Sequence, residues 1–132
     1  MTTICLKRNE RINPVVVSLD IESSVHLHSL EIEPDPRAST RLLTRERTES
    51  SAVWSDLVSF DENTLEARIG VKWVATGSAA PGRRYTAKLS IMDEAGVLAP
   101  AKPGYSNPIV IKGRIGPAAN PTDERRVSII IA

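Results

Sequence analysis

The stretch that decides the fold is residues 65–73, Leu-Glu-Ala-Arg-Ile-Gly-Val-Lys-Trp. Its apolar side chains recur at every second position, and charged residues occupy most of the positions between them. Because successive side chains of a β-strand point to opposite faces, this period of two predicts a strand with one buried face and one solvated face. The predicted buried set is Leu65, Ala67, Ile69, Val71 and Trp73.

A second alternating stretch follows at residues 84–91. The segment between the two stretches, 76–82, contains a Thr-Gly pair and a Pro-Gly pair, which are typical of turns. We therefore predict that the two strands form an antiparallel pair. The predicted buried set of the second strand is Tyr85, Ala87, Leu89 and Ile91.

The amino-terminal half contains a longer alternation. Apolar residues keep the same odd phase from Val15 to Leu27, which favours one long strand that is allowed to bend. After His28 the phase changes to even positions, as a β-bulge or a break into a new strand requires. Further strands are predicted at 53–60, at 109–111 with an extension toward 115, and at 127–131.

Length, charge and cysteine content exclude several classes of protein. The chain has 132 residues, 17 Lys plus Arg against 16 Asp plus Glu, and one cysteine, Cys5. We therefore expect one domain, no intrachain disulfide, no nucleic-acid partner and no membrane partner. No apolar run approaches the ~18 residues of a membrane span, and residues 1–14 lack the apolar stretch of a secretory signal. The expected location is the cytoplasm or an assembled particle such as a virion.

These patterns predict an all-β fold, namely an antiparallel β-sandwich of about 7–9 strands, with a β-barrel as the alternative. We expect a single sandwich domain over residues 1–132, because no linker or internal repeat interrupts the sequence. The polar segment 34–51 has little periodicity and is predicted to be a long loop or a protruding hairpin. The segment 96–108 contains three prolines and is predicted to be a second long loop.

Residues 82–96, Gly-Arg-Arg-Tyr-Thr-Ala-Lys-Leu-Ser-Ile-Met-Asp-Glu-Ala-Gly, resemble the penultimate strand of immunoglobulin-like and fibronectin type III-like sandwiches. In those folds a tyrosine follows a Pro-Gly turn, and an Asp-x-x-Gly turn closes the strand. The resemblance implies an immunoglobulin-like sandwich with Tyr85 as the corner tyrosine and Trp73 as a core aromatic residue. No cysteine pair flanks Trp73, so an antibody-type domain is not implied.

The only two histidines, His26 and His28, would share one face of a strand. Such a pair can chelate a metal if a neighbouring strand adds a carboxylate. Asp20 lies ~20 Å from His26 along an extended strand, so it cannot join them without a fold-back. The other interpretation is a solvent-facing polar stripe, and we predict no metal site and no cofactor. Nucleophile-elbow and phosphate-binding glycine motifs are also absent from the sequence, which predicts a protein that is not an enzyme.

Three features remain as candidates for binding a partner protein. Arginines in segment 34–51 form the first, and two aromatic residues that can serve as anchors form the second. The third is the isoleucine-rich strand at 127–131. It is either a central strand of its own sandwich or, in the alternative, this strand or the strand at 2–7 pairs with a neighbouring chain. The predicted contact residues are Arg41, Arg45, Arg47, Trp54 and Tyr105.

Taken together, these features predict a non-enzymatic structural or interaction module that binds protein partners or copies of itself, as a homo-oligomer or in a larger assembly. Small proteins of this profile resemble, in type and not in any motif, the structural and decoration proteins of bacterial viruses. The first alternative is a small-ligand or carbohydrate-binding domain in which Trp54 and Tyr105 line a groove. The second is a metal-dependent enzyme centred on His26 and His28.

Overall fold

The computed structural model describes residues 2–10, 12–22, 25–34, 38–47, 51–60, 63–77 and 81–132. No helix occurs in these ranges, and strands form the regular structure. The strands are β1 (Thr2–Leu6), β2 (Val15–Glu22), β3 (His26–Pro34), β4 (Ala38–Arg47), β5 (Ser51–Phe60), β6 (Ala67–Thr76), β7 (Arg84–Asp93), β8 (Gly96–Val97), β9 (Ile109–Arg114) and β10 (Thr122–Ile131).

The strands form two sheets that pack around one core. Sheet A has the order β1-β10-β6-β3, and sheet B has the order β4-β5-β2-β7, with β8 and β9 both pairing with β7. All strand pairs are antiparallel except β1 with β10, which is parallel. The predicted all-β sandwich is therefore confirmed, and the described strands do not close into the alternative barrel.

Alternate positions of β1, β2, β6, β7 and β10 supply most of the core, as the period of two predicts. Leu65 is the exception, because it lies before β6 begins and is 72% exposed. Its place in the predicted buried set is therefore wrong. The buried residues of β6 and β7 are Ala67, Ile69, Val71, Trp73, Ala75, Tyr85, Ala87, Leu89 and Ile91.

The predicted antiparallel pair of β6 and β7 is wrong. β6 lies in sheet A between β10 and β3, whereas β7 lies in sheet B between β2 and β9. The connection carries the chain across the core, and both strands turn the same phase inward. Alternation therefore cannot distinguish this crossing from a hairpin. The two strands do meet through side chains, since Trp73 Nε1 donates a hydrogen bond of 3.3 Å to the Tyr85 hydroxyl.

The predicted single strand over 15–27 is two strands in different sheets, β2 in sheet B and β3 in sheet A. The Val25 amide, just before β3, donates to the Glu22 carbonyl at the end of β2, at 3.2 Å. The odd phase continues from β2 to Leu27 because both strands bury their side chains in the same core. The phase change at His28 is confirmed as a β-bulge, since the register of β3 with β6 shifts between Leu27 and Ser29.

The two segments predicted as loops differ. Residues 38–47 within segment 34–51 form β4, an edge strand paired with β5, so the loop expectation does not hold there. Edge strands tolerate charged residues, which is why the arginine-rich composition did not indicate a strand. Segment 96–108 contains the short strand β8 and no further strand before β9 begins at Ile109.

The isoleucine-rich strand β10 is central, because residues 127–131 pair with β1 on one side and β6 on the other. Pairing of those residues with a neighbouring chain is therefore wrong. β1 is the edge of sheet A, and part of its outer edge is covered by the segment after β8. Lys7 N donates to Ala99 O at 2.7 Å, and Ala101 N donates to Cys5 O at 2.9 Å.

A hydrogen-bonded network surrounds Tyr85 at one end of the core. The Tyr85 hydroxyl donates to Asp123 Oδ2 at 2.5 Å, and Arg125 Nε donates to the same oxygen at 2.9 Å. Burial of the phenol, together with this hydrogen bond, raises the pKa of Tyr85 to about 12. Gly113 lies directly opposite Tyr85 in β9, and a Cβ there would overlap the tyrosine ring. The close packing of this ring therefore requires glycine at position 113.

The side chain of Asn107, which precedes β9, makes the hydrogen bonds to β7 that a paired strand would otherwise make. Its Oδ1 accepts from Ile91 N at 3.1 Å, while its Nδ2 donates to Ile91 O at 2.9 Å and to Leu98 O at 2.8 Å. The side chain thereby satisfies the edge of β7 and holds the residue after β8 against it.

Candidate functional site

The residues predicted to contact a partner lie in two separate places. Arg41, Arg45 and Arg47 lie on β4, and Trp54 lies on β5 directly opposite Arg45 in the register. The side chains of these four residues lie outside the described part of the structure. Tyr105 lies beside Cys5 of β1, in sheet A. The hydrogen bond between the two side chains raises the pKa of Tyr105. The structure therefore does not bring Trp54 and Tyr105 together, as the carbohydrate-binding alternative requires.

The histidines do not keep the regular spacing of a strand. His26 is exposed at the start of β3, and the β-bulge falls at His28, whose side chain is outside the described part. The regular strand spacing on which the shared face was predicted is therefore interrupted between them. Among the described residues, no group of three or more His, Cys, Asp or Glu side chains is placed to hold a metal ion.

The outer face of sheet B carries apolar residues in a continuous row across four strands. Successive register partners are Val97 of β8, Met92 of β7, Val16 of β2 and Leu57 of β5, and we call these four residues the apolar row. Directly opposite residues share a face, so the row lies on the side of sheet B that faces away from sheet A. Val97 is 48% exposed, and the other three side chains are half-buried.

A groove of about 300 Å³ follows part of the apolar row. Pro14, Val16, Leu57 and Met92 line it on its apolar side. Its polar rim consists of Asn13, Asp93 and Glu94. Asp93 is held by its own turn, because Oδ1 accepts a hydrogen bond of 2.9 Å from the Ala95 amide. The groove therefore combines an apolar floor with two carboxylates at one end.

Two more rows lie on the same outer face. Ser90, Ser18 and Ser55 are successive register partners, and we call them the serine row. The next row along the strands mixes apolar and charged side chains, and its valine on β9 is 56% exposed. This mixed row consists of Val110, Lys88, Asp20 and Val53.

Basic residues cluster beyond the mixed row, at the corner where β7 begins and β9 ends. Arg84 lies directly opposite Arg114, and Lys112 lies opposite Thr86. The three cationic side chains are exposed. Arg114 Nε donates to the Gly82 carbonyl at 3.1 Å. The outer face therefore carries three cations at this corner, with Glu22 accepting a hydrogen bond of 2.8 Å from the Thr86 amide beside them, and two carboxylates at the turn after β7. The apolar row lies beside that turn.

A larger groove, of about 500 Å³, lies beside the first half of β10, where β1 no longer covers the strand. Its charged residues already pair with neighbours, since Arg125 binds Asp123 at 2.9 Å and Lys72 binds Glu124 at 3.2 Å. The Lys72 ammonium lowers the pKa of Glu124. Arg126 also binds Glu124, at 3.4 Å, so three cations share two carboxylates around this groove, and each of the charged groups already has a partner within the chain.

Comparison with known proteins adds no identity to this geometry. No protein-family model matches the sequence, and no match was found among curated proteins or solved structures. The part of the chain that the structure describes holds no helix of the length and apolarity needed to cross a membrane. The candidate site is therefore defined by the surface of sheet B alone.

Sequence reasoning missed the apolar row, although the signal was present. Val16 interrupts the alternation by standing between Val15 and Val17, and Met92 does so by following the buried Ile91. Leu57 likewise precedes the buried Val58. Adjacent apolar residues in an otherwise alternating strand indicate that both of its faces carry apolar side chains.

Proposed function

We propose that this protein is a non-enzymatic interaction module that acts through protein–protein contacts in a homo-oligomer or a larger assembly. The observation that carries the proposal is the apolar row on the outer face of sheet B. In a two-layer sandwich the outer faces are normally solvated and polar, so a row of apolar side chains that stay partly accessible on such a face is available to a partner.

The surroundings of the apolar row favour a protein partner. The row crosses four strands of one sheet, and carboxylates rim its groove at one end only. Apolar side chains with charged residues around them are typical of protein–protein interfaces, whereas small-molecule sites enclose most of the ligand surface. We propose a virion as the assembly, with this chain as a structural or decoration protein in it. We also propose that the sandwich is immunoglobulin-like, which Trp73 in the core and Tyr85 at the start of β7 support.

Self-association as a function of concentration tests the proposal. Native mass spectrometry and light scattering of the purified protein should show a dimer or a larger complex. Replacing two residues of the apolar row, Val97→Ser with Met92→Ser, should shift the population toward the monomer. Leu65→Ser is the matched control, because Leu65 is 72% exposed and lies outside sheet B. A strict monomer at every concentration contradicts the homo-oligomer.

A further inference from the structure

We propose that the outer face of sheet B is self-complementary, and that two copies of this chain associate through it about a two-fold axis that follows the serine row. The inference rests on the proposed function and deepens it by naming the surface and the partner. The partner is a second copy of the same chain, and the contact is the same patch on both copies.

The spacing of the rows gives the geometry. Along β7, Lys88 in the mixed row and Met92 in the apolar row lie at equal distances on either side of Ser90. When two such faces meet, a half-turn about an axis along the serine row places the mixed row of each copy on the apolar row of the other. The contact is therefore made twice in one dimer, as isologous symmetry requires.

The valines at the two ends of the mixed row match the apolar row in this arrangement. The half-turn keeps each strand opposite its own copy, and both β8 and β9 lie beside β7. Val110 therefore lies over Val97 of the second copy, and Val53 lies over Leu57, while the oppositely charged register partners Lys88 and Asp20 lie over Met92 and Val16. Val110 and Val97 are two of the three large apolar residues that are exposed in the described ranges. Their mutual burial removes from water the side chains that a solitary sandwich leaves solvated.

The charges at the two ends of the face match as well. The half-turn places the basic corner, Arg84, Lys112 and Arg114, over the turn that carries Asp93 and Glu94 in the second copy. No ion pair within the described part of the chain involves Arg84, Lys112 or Glu94. A second copy therefore supplies the opposite charges that these side chains lack within their own chain.

The dimensions of the face suit a stable dimer. Sheet B is five strands wide when β8 and β9 are taken together, and its long strands have 10 residues. At ~4.8 Å per strand and ~3.3 Å per residue, the face measures on the order of 800 Å². That is about what each partner contributes to an interface of standard size. The small side chains of the serine row allow the two sheets to approach each other along the axis.

Charge reversal tests the proposed pairing of Lys112 with Glu94 of the second copy. Lys112→Glu alone and Glu94→Lys alone each create two like-charge contacts per dimer, and each should weaken self-association by about tenfold or more. A mixture of the two variants should form a mixed dimer, because both contacts then join a glutamate to a lysine. Native mass spectrometry with one variant isotopically labelled measures this preference. Lys102→Glu, at an exposed position outside the face, is the control.

Site-specific crosslinking gives a second readout that does not depend on charge. In a Cys5→Ser background, Ser18→Cys places a thiol on the axis, and a short thiol-specific crosslinker should join the two copies. Ser128→Cys is the matched control, because Ser128 is equally half-buried in a central strand but lies in sheet A. A covalent dimer is expected for Ser18→Cys and not for Ser128→Cys.

The outcomes separate the interface from the proposed function. If the wild-type protein is oligomeric but Ser18→Cys does not crosslink and the charge variants behave like Lys102→Glu, this interface is wrong and the proposed function stands. If the wild-type protein is a strict monomer at every concentration, the homo-oligomer and the interface are both wrong.

Discussion

The two faces of sheet B are built from the same strands, yet they are organised differently. On the inner face of β7, Leu89 and Ile91 are fully buried against sheet A. On the outer face of the same strand, Lys88 is exposed, and Ser90 and Met92 are half-buried. The inner face is thus uniformly apolar, whereas the outer face changes from charged to small polar to apolar within one strand.

This difference separates what holds the fold together from what is available for recognition. On β2 and β7 the inner face obeys one requirement, the exclusion of water, so the inward positions of these two strands are aliphatic or aromatic. The outer face is not covered within the described chain, so the order of its rows is not required by the fold. The interface proposed above rests on the order of these rows.

Neighbouring residues on opposite faces give the sharpest test of this comparison. Leu89→Ala should lower the free energy of unfolding by about 3 to 4 kcal/mol, because it leaves a cavity in a core position that is 0% exposed. Lys88→Ala, one residue away on the outer face, should change it by less than about 0.5 kcal/mol. Urea denaturation followed by circular dichroism at low protein concentration measures both values. Equal losses would show that the two faces of β7 are not distinguished by burial.

Close packing on the inner face is tested at Gly113. A Cβ at this position overlaps the ring of Tyr85, so Gly113→Ala should cost about 3 kcal/mol through displacement of the buried ring. In a Tyr85→Leu background the same substitution should cost much less, since the ring is gone. The double-mutant cycle, measured by denaturant unfolding, gives the coupling directly. Additive losses would mean that the ring does not require glycine.

Fold and surface differ in how far the sequence alone predicts them. Alternation is enough to predict the strands and the sandwich, because burial in one core imposes the same period on every strand. It does not predict the order of the strands, since β6 and β7 show the same pattern whether they pair in one sheet or face each other across the core. Strand β4 was missed for a related reason, because an edge strand does not need an apolar face.

The candidate site depends on register, which the sequence states only indirectly. Val16, Leu57 and Met92 lie far apart in the chain, and each alone is an unremarkable apolar residue. They become a row only when β5, β2 and β7 are aligned in the observed register. The sequence therefore shows the local signal, which is adjacent apolar residues in alternating strands. It does not show the strand register that places these residues side by side on one face.

The ionisation of Tyr85 makes the stability of the inner face depend on pH. The folded-state pKa of about 12 exceeds the ordinary value of 10.0, so the unfolded chain loses the phenolic proton first as the pH rises. The stabilisation is fully present below pH ~10 and should be lost by about 2 to 3 kcal/mol as the pH rises to ~12. Tyr85→Phe should remove this part of the alkaline loss, while Tyr105 remains in both proteins. Denaturant unfolding at several alkaline pH values compares the two, and identical pH dependence would contradict the assignment.

The smallest expected effect lies at the edge of sheet B, where the two faces meet. Asn107→Leu keeps the approximate volume of the side chain but removes three hydrogen bonds, to Ile91 N, Ile91 O and Leu98 O. The Leu98 amide still donates to Ile91 O at 3.1 Å, so the amide of Ile91 is the group that loses its partner most completely. The expected loss is about 2 kcal/mol, which is the cost of leaving a buried polar group unsatisfied rather than the sum of three bonds. Hydrogen exchange of the Ile91 amide, together with denaturant unfolding, measures this effect. If exchange at Ile91 stays as slow as in the wild-type protein, the edge of β7 is held by its strand neighbours and not by Asn107.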